Sequence, residues 1–180
     1  MIRKPENWGK LIPNAGNFQK LPAGGYICRI AGVELIKSKT GKDMLKIIVD
    51  IERGKFKDYF FKRFLQDKER FENPRWGCVY YQVVEGDISL AIFKGIIENI
   101  EKSNPGYKWD WNEKSLVNKI FGGIFREEEF INRQGGVSSV MRLAYIRSTE
   151  KIEEVDPPHK KTINGGNIKP SDFGEEVVPF

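Results

Sequence analysis

Aromatic rings and cations alternate in several short stretches of this chain, a pairing that can stack bases while neutralising phosphates. Lys57, Tyr59, Phe61, Lys62 and Arg63 form the densest of them; Arg75 and Trp76 are adjacent, and Lys108, Trp109 and Trp111 follow a Pro-Gly pair. Lys37, Lys39 and Lys42 crowd one turn, while Arg29 and Lys46 sit on apolar runs that read as strands. Taken singly, Tyr59, Phe60, Phe61, Trp76, Tyr80, Tyr81, Trp109 and Trp111 read mostly as core or loop-packing residues. As a set flanked by cations, two or three of them are expected on a binding surface.

Catalytic chemistry finds less to work with. Glu127, Glu128 and Glu129 carry the charge for a divalent ion, but three consecutive strand residues cannot all face one site, and no Asp or His repeats at ligand spacing. His159 lies between Pro158 and Lys160, without a scaffold for a general base. Gly122-Gly123 lacks the rest of a phosphate-cradling motif. No cofactor and no metal are expected, and the alternative from another class is a metal-dependent nuclease using Glu127–Glu129.

The elements that must position these groups follow from periodicity and turns. Gly25–Lys37 is a long β-branched run with Tyr26, Cys28 and Ile30 on one face, and Gly32 predicts a bulge that returns Val33 and Leu35 to the core. Beyond the Lys37–Lys42 turn, Leu45, Ile47, Val49 and Ile51 share one side of a second strand whose other side is mixed and partly open. After Arg53-Gly54-Lys55, a third strand is expected over Phe56–Phe64. Residues 65–85 read as an irregular connection with a short strand at 78–83. Asp87 predicts an N-cap, and Ile88, Ile92, Ile96 and Ile100, joined by Phe93 and Ile97, predict a helix that Asn104-Pro105-Gly106 ends. Lys119–Phe130 and Val137–Ser148 complete the strands. Three strands, a helix and two strands is the order of an OB-fold, a five-stranded Greek-key barrel, in which the loop joining strands one and two binds oligonucleotides; an α+β sandwich gives the same string, and the long first strand with its central glycine favours the barrel. The barrel domain is expected over residues 24–149, after an arm at 1–23.

At 180 residues one core is the natural expectation. No apolar run reaches the ~20 residues that span a bilayer, and Met1–Pro5 leads into no signal-peptide core, so a cytoplasmic location is expected. Cys28 and Cys78, far apart among apolar neighbours, read as reduced core thiols. Residues 1–149 hold 26 Lys and Arg against 18 Asp and Glu, a net of +8; residues 150–180 hold 4 against 7, a net of −3, and together they give the +5 of the chain. A basic body suits an anionic ligand. The Pro- and Gly-rich composition of 150–180 predicts an unordered acidic tail.

The segments Leu21–Tyr26, Asp50-Ile51 with Gly54-Lys55-Phe56 and Phe60, Ile100–Tyr107, Gly122-Gly123 and Phe125–Glu129 resemble a family of bacteriophage and prophage proteins. That family is described as single-stranded DNA-binding proteins of replication or recombination modules, with an OB-fold. The resemblance spans residues 20–150 and implies a non-enzymatic protein that coats single-stranded DNA in a bacterial host's cytoplasm. A recombination mediator or annealing accessory protein is the alternative. The end, Asp172-Phe173-Gly174-Glu175-Glu176-Val177-Val178-Pro179-Phe180, is similar to the acidic tip of bacterial single-stranded DNA-binding proteins. By that resemblance Asp172, Phe173, Glu175, Glu176, Pro179 and Phe180 dock on replication and recombination enzymes. The oligomeric state, a homo-oligomer included, stays open.

Overall fold

The computed structural model describes residues 3, 6 and 19–163. Trp8 and Phe18 of the expected arm, and the whole acidic tip from Asp172 to Phe180, lie outside the described residues. The chain forms a mostly β structure, with strands β1 (Gly24–Lys37), β2 (Asp43–Ile51), β3 (Val79–Val83), β4 (Ile120–Ile131) and β5 (Val137–Arg147). Helix α1 (Tyr59–Lys68) lies between β2 and β3, and α2 (Asp87–Ser103) between β3 and β4. The strands make one five-stranded sheet in the order β3-β2-β1-β4-β5, every neighbouring pair antiparallel. No helix among the described residues is long and apolar enough to cross a membrane.

The first strand bulges where its glycine predicts. Ile30 pairs with Val49 and Gly32 with Ile48, which leaves Ala31 as the extra residue. Before the bulge β1 also pairs with β4, from Gly24 opposite Phe125 to Arg29 opposite Ile120. Val33 returns to the core as expected, whereas Leu35 stays 51% exposed. Cys28, Ile30, Leu45, Ile47, Val49 and Ile51 of this pair are buried, and Phe121, Phe125, Leu143 and Ile146 close over them from β4 and β5. Both cysteines are free and buried; burial pushes the Cys78 thiol up to about 12.

The expected third strand at Phe56–Phe64 is instead a turn followed by α1, and the true β3 is the short strand expected at 78–83. The cause sits on β2. Asp50, on the side expected to be partly open, is fully buried, and its Oδ1 accepts the N–H groups of Ile51 (2.9 Å) and Phe60 (3.0 Å) while Oδ2 accepts that of Phe61 (3.3 Å). A helix begins with N–H groups that have no partner within it, and a carboxylate supplied by a neighbouring strand answers them here. Asp58, at the cap position with φ 59°, makes no side-chain cap of its own. This tertiary cap overrides the strand propensity of Tyr59-Phe60-Phe61.

The buried stripe of α2 is Phe93, Ile96, Ile97 and Ile100, at helical spacing; Ile88 and Ile92, expected in the same row, are 82% and 52% exposed. Gly86, with φ 85°, takes the cap position expected of Asp87, whose charge falls in the first turn instead. At the other end Asn104 accounts for the stop. Its amide N–H2 donates to the carbonyls of Ile100 and Ile120, and its Oδ1 accepts the Ile120 N–H, so the helix end is tied to the start of β4.

Residues 150–163, expected as the start of an unordered tail, are held to the sheet at two points, Ile152 and Lys161. Ile152 opens a short 3-10 turn (Ile152–Glu154) and is 2% exposed above Gly25 and Gly122. A Cβ on Gly25 would stand 1.7 Å from the Ile152 carbonyl oxygen, and one on Gly122 2.3 Å from that of Ser148, so neither position admits a side chain. Further on, the chain pairs in parallel with β4: the Lys161 N–H donates to Glu127 and the Glu129 N–H to the Lys161 carbonyl.

Candidate nucleic-acid interface

Pleat alternation sets the outward face. Leu45, Ile47 and Val49 point into the core, so Met44, Lys46 and Ile48 point away from it, opposite Val83, Tyr81 and Val79 of β3. On the other flank β1 sets Ile36, Glu34 and Gly32 beside the same three residues. The result is a half-buried apolar strip with one lysine and one tyrosine directly opposite each other at its centre. Lys46 also meets Glu34 at 3.3 Å, an exposed pair whose small net stabilisation leaves the ammonium exchangeable. Arg142 of β5 is within electrostatic reach of Tyr81; burial lowers its guanidinium, while Glu128 holds it up.

The Lys37–Lys42 turn borders this strip through β1 and β2. Its backbone is closed by Ser38 N–H to Lys42 O (2.8 Å) and Gly41 N–H to Ser38 O (2.9 Å), and Lys42 N–H donates to the Ser38 hydroxyl (3.0 Å). Lys39 and Lys42 are exposed, and Lys37 pairs with Asp43 at 2.6 Å. Beyond the other end of β2, the Trp76 indole N–H donates to the Val49 carbonyl (2.8 Å), and its ring lies against Phe61 and Phe64 of α1. Trp76 is therefore a packed anchor, and Phe61, 43% exposed, is the ring that solvent reaches. Arg63 and Arg75 are exposed nearby in the chain.

The other expected contacts divide into three places. Arg29 is held among carboxylates, 3.0 Å from Asp58, 3.4 Å from Asp50 and 3.6 Å from Glu52, and acts inside the fold. Tyr59, expected to stack on bases, is 7% exposed; its ring meets Phe56 and Phe60 edge-on, and its hydroxyl accepts the Leu21 N–H. Lys57 and Lys62 converge instead on a depression that shares no residue with the strip. The third place is the loop after α2, where the Trp109 ring meets buried Phe93 edge-on and the Trp109 N–H and Lys108 both bind Glu101. Trp109 is thus half-packed, whereas Trp111 stands 78% exposed with φ 64°.

The three consecutive glutamates are each spoken for by cations. Lys160 meets Glu129 at 2.8 Å and Glu127 at 3.5 Å, while Glu128 on the opposite face pairs with Arg126 and Arg142. Arg142 and Lys55 are the functional candidates that composition alone did not single out; Tyr81 belongs to the aromatic set read from the sequence, but its place opposite Lys46 does not. Their signal is cross-strand register and convergence, which require the fold. No protein-family model matches the chain, and no curated protein matches it.

Proposed function

We propose that this protein binds single-stranded DNA without sequence preference, across the outward face of β2 and β3. What carries the reading is the Lys46–Tyr81 pair at the centre of an apolar strip, with the lysine-bearing turn on its border. A tyrosine ring offers a face to any base and an adjacent ammonium a partner to any phosphate, while Met44, Ile48, Val79 and Val83 carry no hydrogen-bond code. Stacking without a donor–acceptor pattern is indifferent to sequence.

The architecture is consistent with an OB-fold. The order β3-β2-β1-β4-β5 is that of such a barrel opened between strands three and five, with α2 between β3 and β4 and a bulge in β1. In that fold the strand 2–3 face binds oligonucleotides. By the resemblance of its tip, the chain recruits replication or recombination enzymes in a phage-infected bacterial cytoplasm through Asp172–Phe180.

Fluorescence anisotropy with a labelled single strand, the matching duplex and the RNA strand tests the reading. Tyr81→Ala is expected to weaken single-strand binding about 5- to 150-fold, the range of one lost stack, and Lys46→Gln to lower the salt dependence, both with unchanged melting. Equal affinity for duplex, or wild-type affinity in both variants, would overturn it.

A further inference from the structure

We infer that the depression beside the first turn of α1 is a phosphodiester site, which takes one backbone phosphate of a single strand; this rests on the function proposed above. The depression has a volume of about 170 Å³ and is lined by Gln19, Lys55, Phe56, Lys57, Tyr59 and Lys62. Three of its six lining residues are lysines, and no carboxylate of the described residues joins them. Like charges gathered round one concavity repel one another, and an anion in their midst reverses the sign of every one of those interactions.

The arrangement is built rather than incidental. Gly54, with φ 84°, turns the chain out of β2, and the Lys57 N–H donates back to the Gly54 carbonyl at 3.1 Å, which sets Lys55 and Lys57 on one tight turn. Lys62, from the first turn of α1, donates its ammonium to the Lys57 carbonyl at 2.8 Å. Lys55 Nζ rests 5.6 Å from the centre of the Phe56 ring. The floor is rigid too, since Phe56 meets Tyr26 and Tyr59 edge-on.

The chemistry favours phosphate. Lysine is a point-charge donor suited to tetrahedral oxygens, whereas planar carboxylates are matched by the arginine fork, and no arginine lines this depression. The helix N-terminus is not the attraction, because the Phe60 and Phe61 N–H groups are already taken by Asp50. An apolar floor of ring carbons suits the sugar that accompanies a diester. Lys62 and Phe61, the exposed ring beside Trp76, share the first turn of α1.

The experiment compares wild type, Lys55→Gln/Lys57→Gln/Lys62→Gln, Lys62→Gln alone and Tyr81→Ala on oligothymidine over a salt series. The triple variant is expected to melt as wild type, because the three side chains are exposed. Its log–log salt slope is expected to be shallower by about 0.7, the share of one phosphate contact, with Lys62→Gln giving part of that loss. An unchanged slope and affinity in the triple variant, with Tyr81→Ala still weakened, overturns the phosphate site and leaves the sheet reading intact. Loss in the triple variant with none in Tyr81→Ala upholds the site and overturns the sheet reading. A second arm compares 5′-phosphorylated and 5′-hydroxyl strands: equal loss supports the diester, and loss confined to the phosphorylated strand overturns it in favour of a terminal monoester.

Discussion

Asp50 is where fold and site meet, because its carboxylate holds the helix that carries Phe61, Lys62 and Arg63. Asp50→Ala removes the acceptor of the Ile51, Phe60 and Phe61 N–H groups and one of three carboxylates around Arg29. A capping side chain contributes ~1 kcal/mol, and each buried N–H left without an acceptor costs ~1–3. With Phe60 fully enclosed and Phe61 beside it, the expected loss is about 3–5 kcal/mol, read from urea unfolding with hydrogen exchange at the α1 amides. Asp50→Asn keeps an oxygen for Ile51 and Phe60 and gives up only the longer bonds, so about 1 kcal/mol is expected. Burial raises the Asp50 carboxyl above its ordinary 3.8, against the pull of the Ile51 and Phe60 amides and of Arg29. A raised folded value favours folding with the proton bound: the contribution is complete below 3.8 and is lost as pH climbs through the folded value. Asparagine lacks this dependence, so the advantage of wild type over Asp50→Asn should shrink from acid towards neutral pH. An Asp50→Ala protein within about 1 kcal/mol of wild type, its α1 amides still protected, would refute the claim that β2 holds this helix.

Two further outcomes follow from other parts of the molecule. Trp111→Gly should raise stability by up to about 1 kcal/mol in thermal melts, because φ 64° suits glycine and the indole it removes is 78% exposed; a tenfold loss of single-strand affinity in the same variant would show that its exposed ring stacks on bases, and an unchanged affinity would take it out of the interface. The clasp of residues 160–163 on β4 should open in acid. Glu129 is lowered by Lys160 and the Ile163 amide, and Glu127 by Ser139 and Lys160, so their contribution is present above 4.5 and fades as pH falls below it; unchanged protection of the Lys161 amide in acid would contradict this.

Which residues serve the fold and which remain for a ligand is a question of register. Five strands, the short one at 78–83 among them, and α2 are legible in the sequence because β-branched runs, a mid-strand glycine and an Asn-Pro-Gly stop are local signals. Helix α1 is not, since its cap comes from a carboxylate ten residues earlier, and no local window contains both. Misplacing that segment as the third strand hides the pairing of Tyr81 with Lys46, because the two face each other only once 79–83 is set beside β2. The glycines at 25 and 122 are equally silent until Ile152 lies across them. Charge counting fails for the same reason. Arg29 and Lys46 are both strand cations, yet Arg29 stands opposite Asp50, a fully buried acceptor, with Glu52 and Asp58 alongside. Lys46 stands opposite Glu34, whose side chain is 60% exposed, so under the proposed function a phosphate would displace it at little cost. A buried carboxylate holds its cation because parting them strands a charge away from water, and an exposed one yields it because water replaces the partner.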